Sequence, residues 1–164
     1  MKTLVIVRHA KSSWDNAGLS DHQRPLSKRG LKDAPVMGMR LAEYGPPVDR
    51  VISSSATRAL TTAELVTHEM SLPWDEIQIE DALYHATEEE MIDLINEQDD
   101  YLDGLMLFGH NPGMTYLVNY LSDLDLDNLP TCGVVVLQFD VESWAEIGEA
   151  IAVSADYDFP KSER

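Results

Sequence analysis

The 164-residue sequence predicts an α/β fold built on a largely parallel sheet. Two observations lead there: short β-branched runs recur along the chain, and segments with helical spacing lie between them. That alternation is the signature of strand, helix, strand units with right-handed crossovers. In order, residues 3–7 (TLVIV) form a continuous apolar run of the kind buried on both faces of a parallel sheet. Ser27 is placed to cap a helix running to about Tyr44, which Gly45-Pro46-Pro47 stops. Pro35 removes one backbone donor inside that helix and predicts a kink. Residues 50–53 (RVIS) are the next strand. From Thr57 to about Met70 a second helix carries Ala59, Ala63, Val66 and Met70 on one face. Thr87 and Glu90 form a capping box that opens a third helix, with Met91, Leu94 and Ile95 inward. Residues 104–108 (GLMLF) are a strand, and a fourth helix after Pro112-Gly113 is expected to turn Tyr116, Leu117, Tyr120 and Leu121 inward. A strong strand at 134–139 and a weaker one at 147–153 complete the set, with 123–128 as an acidic surface loop. Residues 1–160 read as one domain, because a compact unit usually holds roughly 100 to 200 residues, and 161–164 read as a C-terminal tail, frayed from about Phe159.

The formal charge of -17 is unevenly distributed. Residues 1–58 carry ten Lys/Arg against five acids, whereas 59–160 contain twenty-three Asp/Glu and neither Lys nor Arg. Binding to nucleic acid or to an anionic membrane needs an extended positive surface, so both are disfavoured. A small anion pocket built from the basic N-terminal third is compatible with this charge. A single cysteine, Cys132, allows no internal disulfide and no zinc-type pair, which fits a reducing, cytoplasmic setting. His22, His68 and His85 have no metal-ligand spacing, and no cofactor is expected.

Three strand exits carry groups suited to an anion. Ligands of open parallel sheets bind beyond the carboxyl ends of the strands, which is where Arg8 and His9 follow the first run. An ordinary surface pair is the plain alternative. The second exit, Ser53-Ser-Ser-Ala-Thr-Arg58-Ala59, places hydroxyls and backbone N–H groups at a helix start. Arg58 there opposes the helix dipole, a conflict that an anion would resolve; the plain alternative is a serine cap with a solvated arginine. The third is Phe108-Gly-His110-Asn-Pro-Gly113, with glycines on either side of the histidine. Its plain alternative is a core histidine satisfied by a neighbour.

Together with R-P-L-S-K-R-G at 24–30, these motifs resemble the histidine phosphatase superfamily, the phosphoglycerate-mutase-like group. The string from V-R-H-A-K-S-S-W through D-H-Q-R-P-L-S-K-R-G resembles its compact SixA-type branch, the phosphohistidine phosphatases. The resemblance implies a three-layer α/β/α sandwich without large cap insertions. It implies that His9 is the nucleophile, that Arg8, Arg58 and His110 contact the phosphoryl oxygens, and that Arg24 is a further phosphate-pocket arginine with Asp21 near it. Three arginines and a protonated His110 would neutralise the phosphoryl oxygens without a metal. His9 needs one ring nitrogen unprotonated, hence a partner for the other.

Two positions depart from the family pattern. Ala10 replaces the glycine of R-H-G, a difference of one methyl group. In Glu80-Asp-Ala-Leu-Tyr84, Ala82 falls where larger members place a general acid, and Asp81 as its extended neighbour points the other way. Asp21 and Asp81 are the candidates for proton donor or pocket carboxylate, Glu88 could also reach the site, and a plain surface or salt-bridge residue is the alternative for Asp21. An alkoxide needs a proton to leave and an imidazole leaves more easily, so weak acid provision favours phosphohistidine. The expected partner is a phosphohistidine-bearing protein, a phosphotransfer domain or phosphocarrier, with phosphate or sulfate as pocket anions. A small-molecule phosphoester phosphatase and a non-catalytic phosphoprotein-binding module are the alternatives.

Overall fold

The computed structural model describes residues 1–162, apart from the side chain of Trp74. Six strands form one sheet: β1 (Lys2–Arg8), β2 (Arg50–Ser53), β3 (Gln78–Ile79), β4 (Gly104–Gly109), β5 (Val134–Phe139) and β6 (Ser154–Asp158). Their spatial order is β3-β2-β4-β1-β5-β6. The β1–β4, β2–β4 and β2–β3 pairs are parallel, while β5 is antiparallel to both β1 and β6. Thus β5 alone runs against the other five strands. Four longer helices, α1 (Lys28–Tyr44), α2 (Thr57–Glu69), α3 (Glu88–Asn96) and α4 (Gly113–Leu121), cover the two faces.

Strand alternation builds the layers. Leu4 and Ile6 of β1, with Leu105 and Leu107 of β4, pack with Met91, Ile95, Leu117 and Leu121 of α3 and α4. Val5, Val7, Met106 and Phe108 point to the opposite face, against Met37 and Leu41 of α1 and Ala63 and Val66 of α2. All eight strand residues are fully buried, each worth about 1.5 to 3 kcal/mol relative to exposure, and this fixes β1 and β4 at the centre. Both faces being covered explains why these runs are continuous rather than alternating in the sequence.

Local signals set the helix ends. The Ser27 hydroxyl accepts from Gly30 N, and Gly45 closes α1 in the left-handed region at φ 72. Pro35 lies inside α1 without ending it. Thr87 and Glu90 form the expected reciprocal capping box of α3.

Three expectations are corrected. In α4 the buried face is Met114, Leu117, Val118 and Leu121, and Tyr116 and Tyr120 are exposed. Both sets obey helical spacing, and the packing against the sheet chooses the one with the better apolar payload. The last strand is Ser154–Asp158 rather than 147–153. It is an edge strand of polar alternation, S-A-D-Y-D, so apolar content misplaced it. Finally, Arg40 of α1 donates to Asp158 and to the carbonyls of Phe159 and Pro160, tying the chain beyond β6 to α1. Residues 163–164 of the expected tail lie outside the described residues.

Candidate active site

The carboxyl ends of β1, β2 and β4 converge on a cavity of about 270 Å³. Because β5 is antiparallel it begins where these strands end, and its lead-in brings Leu129, Thr131 and Cys132 to the same place. Arg8 Nη1 donates to the Leu129 carbonyl at 2.9 Å, and Cys132 N donates to the His9 carbonyl at 3.0 Å. A larger cavity of about 370 Å³ lies between α1 and the β5–β6 pair and contains none of the candidate residues, so size does not identify the site.

His9 leaves β1 with its backbone N–H on the Gly109 carbonyl at 3.1 Å and its side chain buried. Its Nδ1 lies 2.7 Å from the Ala10 carbonyl, an oxygen that can only accept. Nδ1 therefore carries the proton, and Nε2 keeps its lone pair. Burial, with help from Arg58, Arg8 and Arg24, pushes the imidazole down to about 4 against the raising effect of the Ala10 bond, so the ring is neutral at pH 7.

The arginines come from three segments, and two of them, Arg24 and Arg58, meet at one carboxylate. Arg58 donates through Nη1 to the Asp21 carbonyl at 2.7 Å and through Nη2 to Asp21 Oδ2 at 3.1 Å. Arg24 Nη1 donates to Asp21 Oδ1 at 2.9 Å, and Nη2 to the Ser12 hydroxyl. Trp14, itself exposed, lies 3.3 Å from the Arg24 guanidinium carbon. The Tyr84 hydroxyl completes the knot at 2.5 Å from Asp21 Oδ2. That bond first, then those from Arg24 and Arg58, holds Asp21 well below the usual carboxylate range against its partial desolvation. Asp21 is therefore an ionised carboxylate beside the cavity, outside its lining, that orients two guanidinium groups and has no proton to give. Arg58 is buried in the first turn of α2, whose cap is Ala56 without a side-chain bond. The solvated-arginine, serine-cap alternative does not describe this segment: Ser54 and Ser55 turn to His110 and His22 instead.

His110 Nε2 lies 2.8 Å from Ser54 Oγ, which also accepts from Ala56 N. Ala56 N takes one Ser54 lone pair, and a Ser54 hydroxyl that donates to Nε2 places the His110 proton on Nδ1. Burial first, then His9 and Arg58, pushes His110 down to about 3. With protein groups alone around it, burial thus disfavours the protonated His110 expected from sequence, and a neutral ring offers an N–H dipole there. Two buried nitrogens of cavity-lining residues, His110 Nδ1 and Arg8 Nε, have no partner among the described residues. Burial and Arg58 also disfavour the Arg8 charge. Orphaned donors beside crowded cations suit an anion.

Asp81 is not brought to the cavity. It is exposed at the start of a 3-10 turn, Asp81–Leu83, rather than in an extended segment, and is absent from the lining. The same segment instead contributes Tyr84, on Asp21, and His85, which lines the cavity. Sequence reasoning gave neither a role, since the partners of Tyr84 lie 63 residues away. Asn111 was also passed over. Its amide donates to the Leu129 carbonyl at 2.8 Å and accepts from Thr115, fixing the loop that meets Arg8. Two glycines permit the close approaches: a Cβ on Gly30 would lie 2.2 Å from the Lys11 carbonyl, and one on Gly113 2.2 Å from the Ala86 carbonyl. Among the described residues no three His, Cys, Asp or Glu side chains form a metal-binding group, and no helix is long and apolar enough to cross a membrane.

The model of the histidine phosphatase superfamily (branch 1) matches residues 4–84, which include Arg8, His9, Asp21, Arg24 and Arg58. An uncharacterized protein of Mycobacterium tuberculosis is 30% identical over 165 residues, covering 94% of this chain and 100% of that one. An uncharacterized chloroplastic protein of Arabidopsis thaliana is 30% identical over 154 residues, 88% of this chain and 70% of its own. A candidate phosphohistidine phosphatase SixA from Nakamurella multipartitia superposes with a TM-score of 0.80 at 23% identity, over 98% of this chain and 97% of that chain. The protein histidine phosphatase SixA complexed with tungstate gives 0.71 at 23% identity, over 96% and 94%. At such identities the two structures speak for the fold, that of a compact α/β/α sandwich. With the family model and a full-length relative matching in sequence, the chain belongs to the histidine phosphatase superfamily.

Proposed function

We propose that the protein is a phosphatase that removes the phosphoryl group from phosphohistidine on a phosphotransfer domain or phosphocarrier, through a phospho-His9 intermediate. One observation carries this reading: the cavity combines a neutral imidazole whose Nδ1 is held by the Ala10 carbonyl with three arginines, yet Asp21 is ionised and Asp81 lies outside. The Nε2 lone pair attacks phosphorus. Arg8, Arg24, Arg58 and the Nδ1–H of His110 stabilise the equatorial oxygens, which is where phosphoryl transfer needs most help. Neither Asp21 nor Asp81 is placed to protonate an alkoxide, so a site without a carboxylic acid donor suits a leaving group that departs as easily as imidazole, aided at most by a weaker donor at the rim. The exposed rim at Trp14 and His85 admits a side chain borne by a protein.

His9→Ala is expected to abolish turnover. Residual activity above about 1% of wild type, a barrier change of less than about 2.7 kcal/mol, would remove His9 as nucleophile. Parallel kcat/KM measurements on a phosphohistidyl protein and on a phosphosugar panel test the substrate, and a preference for the sugars would assign the site to small phosphoesters. An acid-labile label on His9 during turnover is expected; phosphoprotein binding without any such label would make the chain a binding module.

A further inference from the structure

We propose that His85 is the proton donor to the leaving group and, in the second half-reaction, the proton acceptor from water; this rests on the phospho-His9 reading. Both histidines line one cavity, but His9 is buried and His85 exposed, so the cavity leads from the nucleophile out to His85. In-line displacement places the leaving atom on the far side of phosphorus from His9, towards that mouth. The other candidates are committed elsewhere. Asp21 accepts from Arg24, Arg58 and Tyr84, the Tyr84 hydroxyl donates its hydrogen bond to Asp21, and His110 is held through Nε2 on Ser54 with Nδ1 assigned above to the phosphoryl oxygens. Among the lining side chains that remain, His85 carries the imidazole, whose two ring nitrogens can give a proton and take one back.

The backbone holds His85 in place from both sides. Tyr84 N donates to the Asp81 carbonyl at 3.0 Å and the capping box begins at Thr87. The Ala86 carbonyl rests against Gly113 at the start of α4, where a Cβ would meet it at 2.2 Å. His85 itself adopts φ 63, a left-handed conformation that is strained for a histidine. Its ring stacks on Tyr84 at 3.9 Å and lies 6.5 Å from that of His110.

The step balances as follows. His9 Nε2 forms a bond to phosphorus as the bond to the substrate nitrogen or oxygen breaks, and the proton of the His85 imidazolium passes to that leaving atom. Water then attacks phosphorus, the P–Nε2 bond breaks with its electron pair returning to His9, and the proton lost by water restores the His85 imidazolium.

The test compares leaving groups in His85→Gly, since glycine takes the left-handed φ without strain. Phosphorylation of His9 is followed with 4-nitrophenyl phosphate, whose leaving group needs no proton, and with phenyl phosphate, whose leaving group does. The expected loss is about 100-fold for phenyl phosphate and less than about threefold for 4-nitrophenyl phosphate, with added imidazole restoring the former. Equal losses on both esters in His85→Gly and in His85→Asn, or absence of imidazole rescue, would overturn the assignment. Failure of the substrate reading is seen separately, as wild-type protein that is phosphorylated by the aryl esters but leaves the phosphohistidyl protein intact.

Discussion

On the phosphoryl side of the cavity Arg24 and Arg58 are buried and bound to protein oxygens, whereas on the rim Lys11, Trp14 and His85 are exposed. The buried wall is preorganised: the guanidinium groups converge on Asp21 before any anion arrives, so little reorganisation remains for the moment of reaction. The rim is built from short connecting segments whose side chains meet solvent. This difference separates two tasks. Under the proposed function the wall recognises a phosphoryl group whatever it is attached to, and the rim decides what it is attached to.

The separation can be broken most directly at the wall. Arg58→Met removes a charge from the phosphoryl oxygens and leaves Asp21 short of a partner, and kcat/KM is expected to fall about 10²- to 10³-fold. The fall should be the same for good and poor leaving groups; a loss that depended on the leaving group would place Arg58 in the rim's task and merge the two sides. Asp21→Asn should have a smaller effect, about tenfold, because the side chain orients two guanidinium groups without touching phosphorus. Steady-state kinetics in the Arg24→Lys, Asp21→Asn double variant sharpens this: non-additive losses are expected if Asp21 acts through the arginines.

The smallest effect is on stability. His9 and His110 are pushed down to about 4 and about 3, so between those values and about 6.5 the unfolded chain binds more protons than the folded one. Stability therefore rises with pH across this window and is lost as pH falls from 7 to 4. For His9 alone the loss is on the order of 3 kcal/mol. Asp21 adds a loss of the same sign only below the usual carboxylate range. Urea unfolding at pH 7 and pH 4 is expected to show a smaller difference in His9→Gln than in wild type. An unchanged difference would mean that burial of the wall does not depress His9.

Much of this architecture is written in short stretches of chain. The strands at 50–53 and 134–139, the Ser27 cap and the Thr87–Glu90 box each rest on residues adjacent in sequence, and all are found where local chemistry puts them. Arg8, His9, Arg58 and His110 were legible for a related reason: each closely follows a recognisable strand, and strand ends of one direction collect at one edge of a sheet. The face of α4 was not legible, because Tyr116 and Tyr120 fit the helical period as well as Met114 and Val118 do. Only the sheet beneath the helix selects the phase.

The sequence by itself determined which chemistry gathers in this protein: a neutral-capable histidine after β1, arginines confined to the N-terminal third, and no acid at Ala82. Tertiary structure alone decided what the carboxylates do. Asp21 loses its candidacy as an acid through Arg58, 37 residues away, and Tyr84, 63 residues away, and Asp81 loses it because its segment curls into a turn instead of extending. Protonation follows from the field of neighbours and from burial, and those are properties of the assembled fold that no local stretch of residues contains.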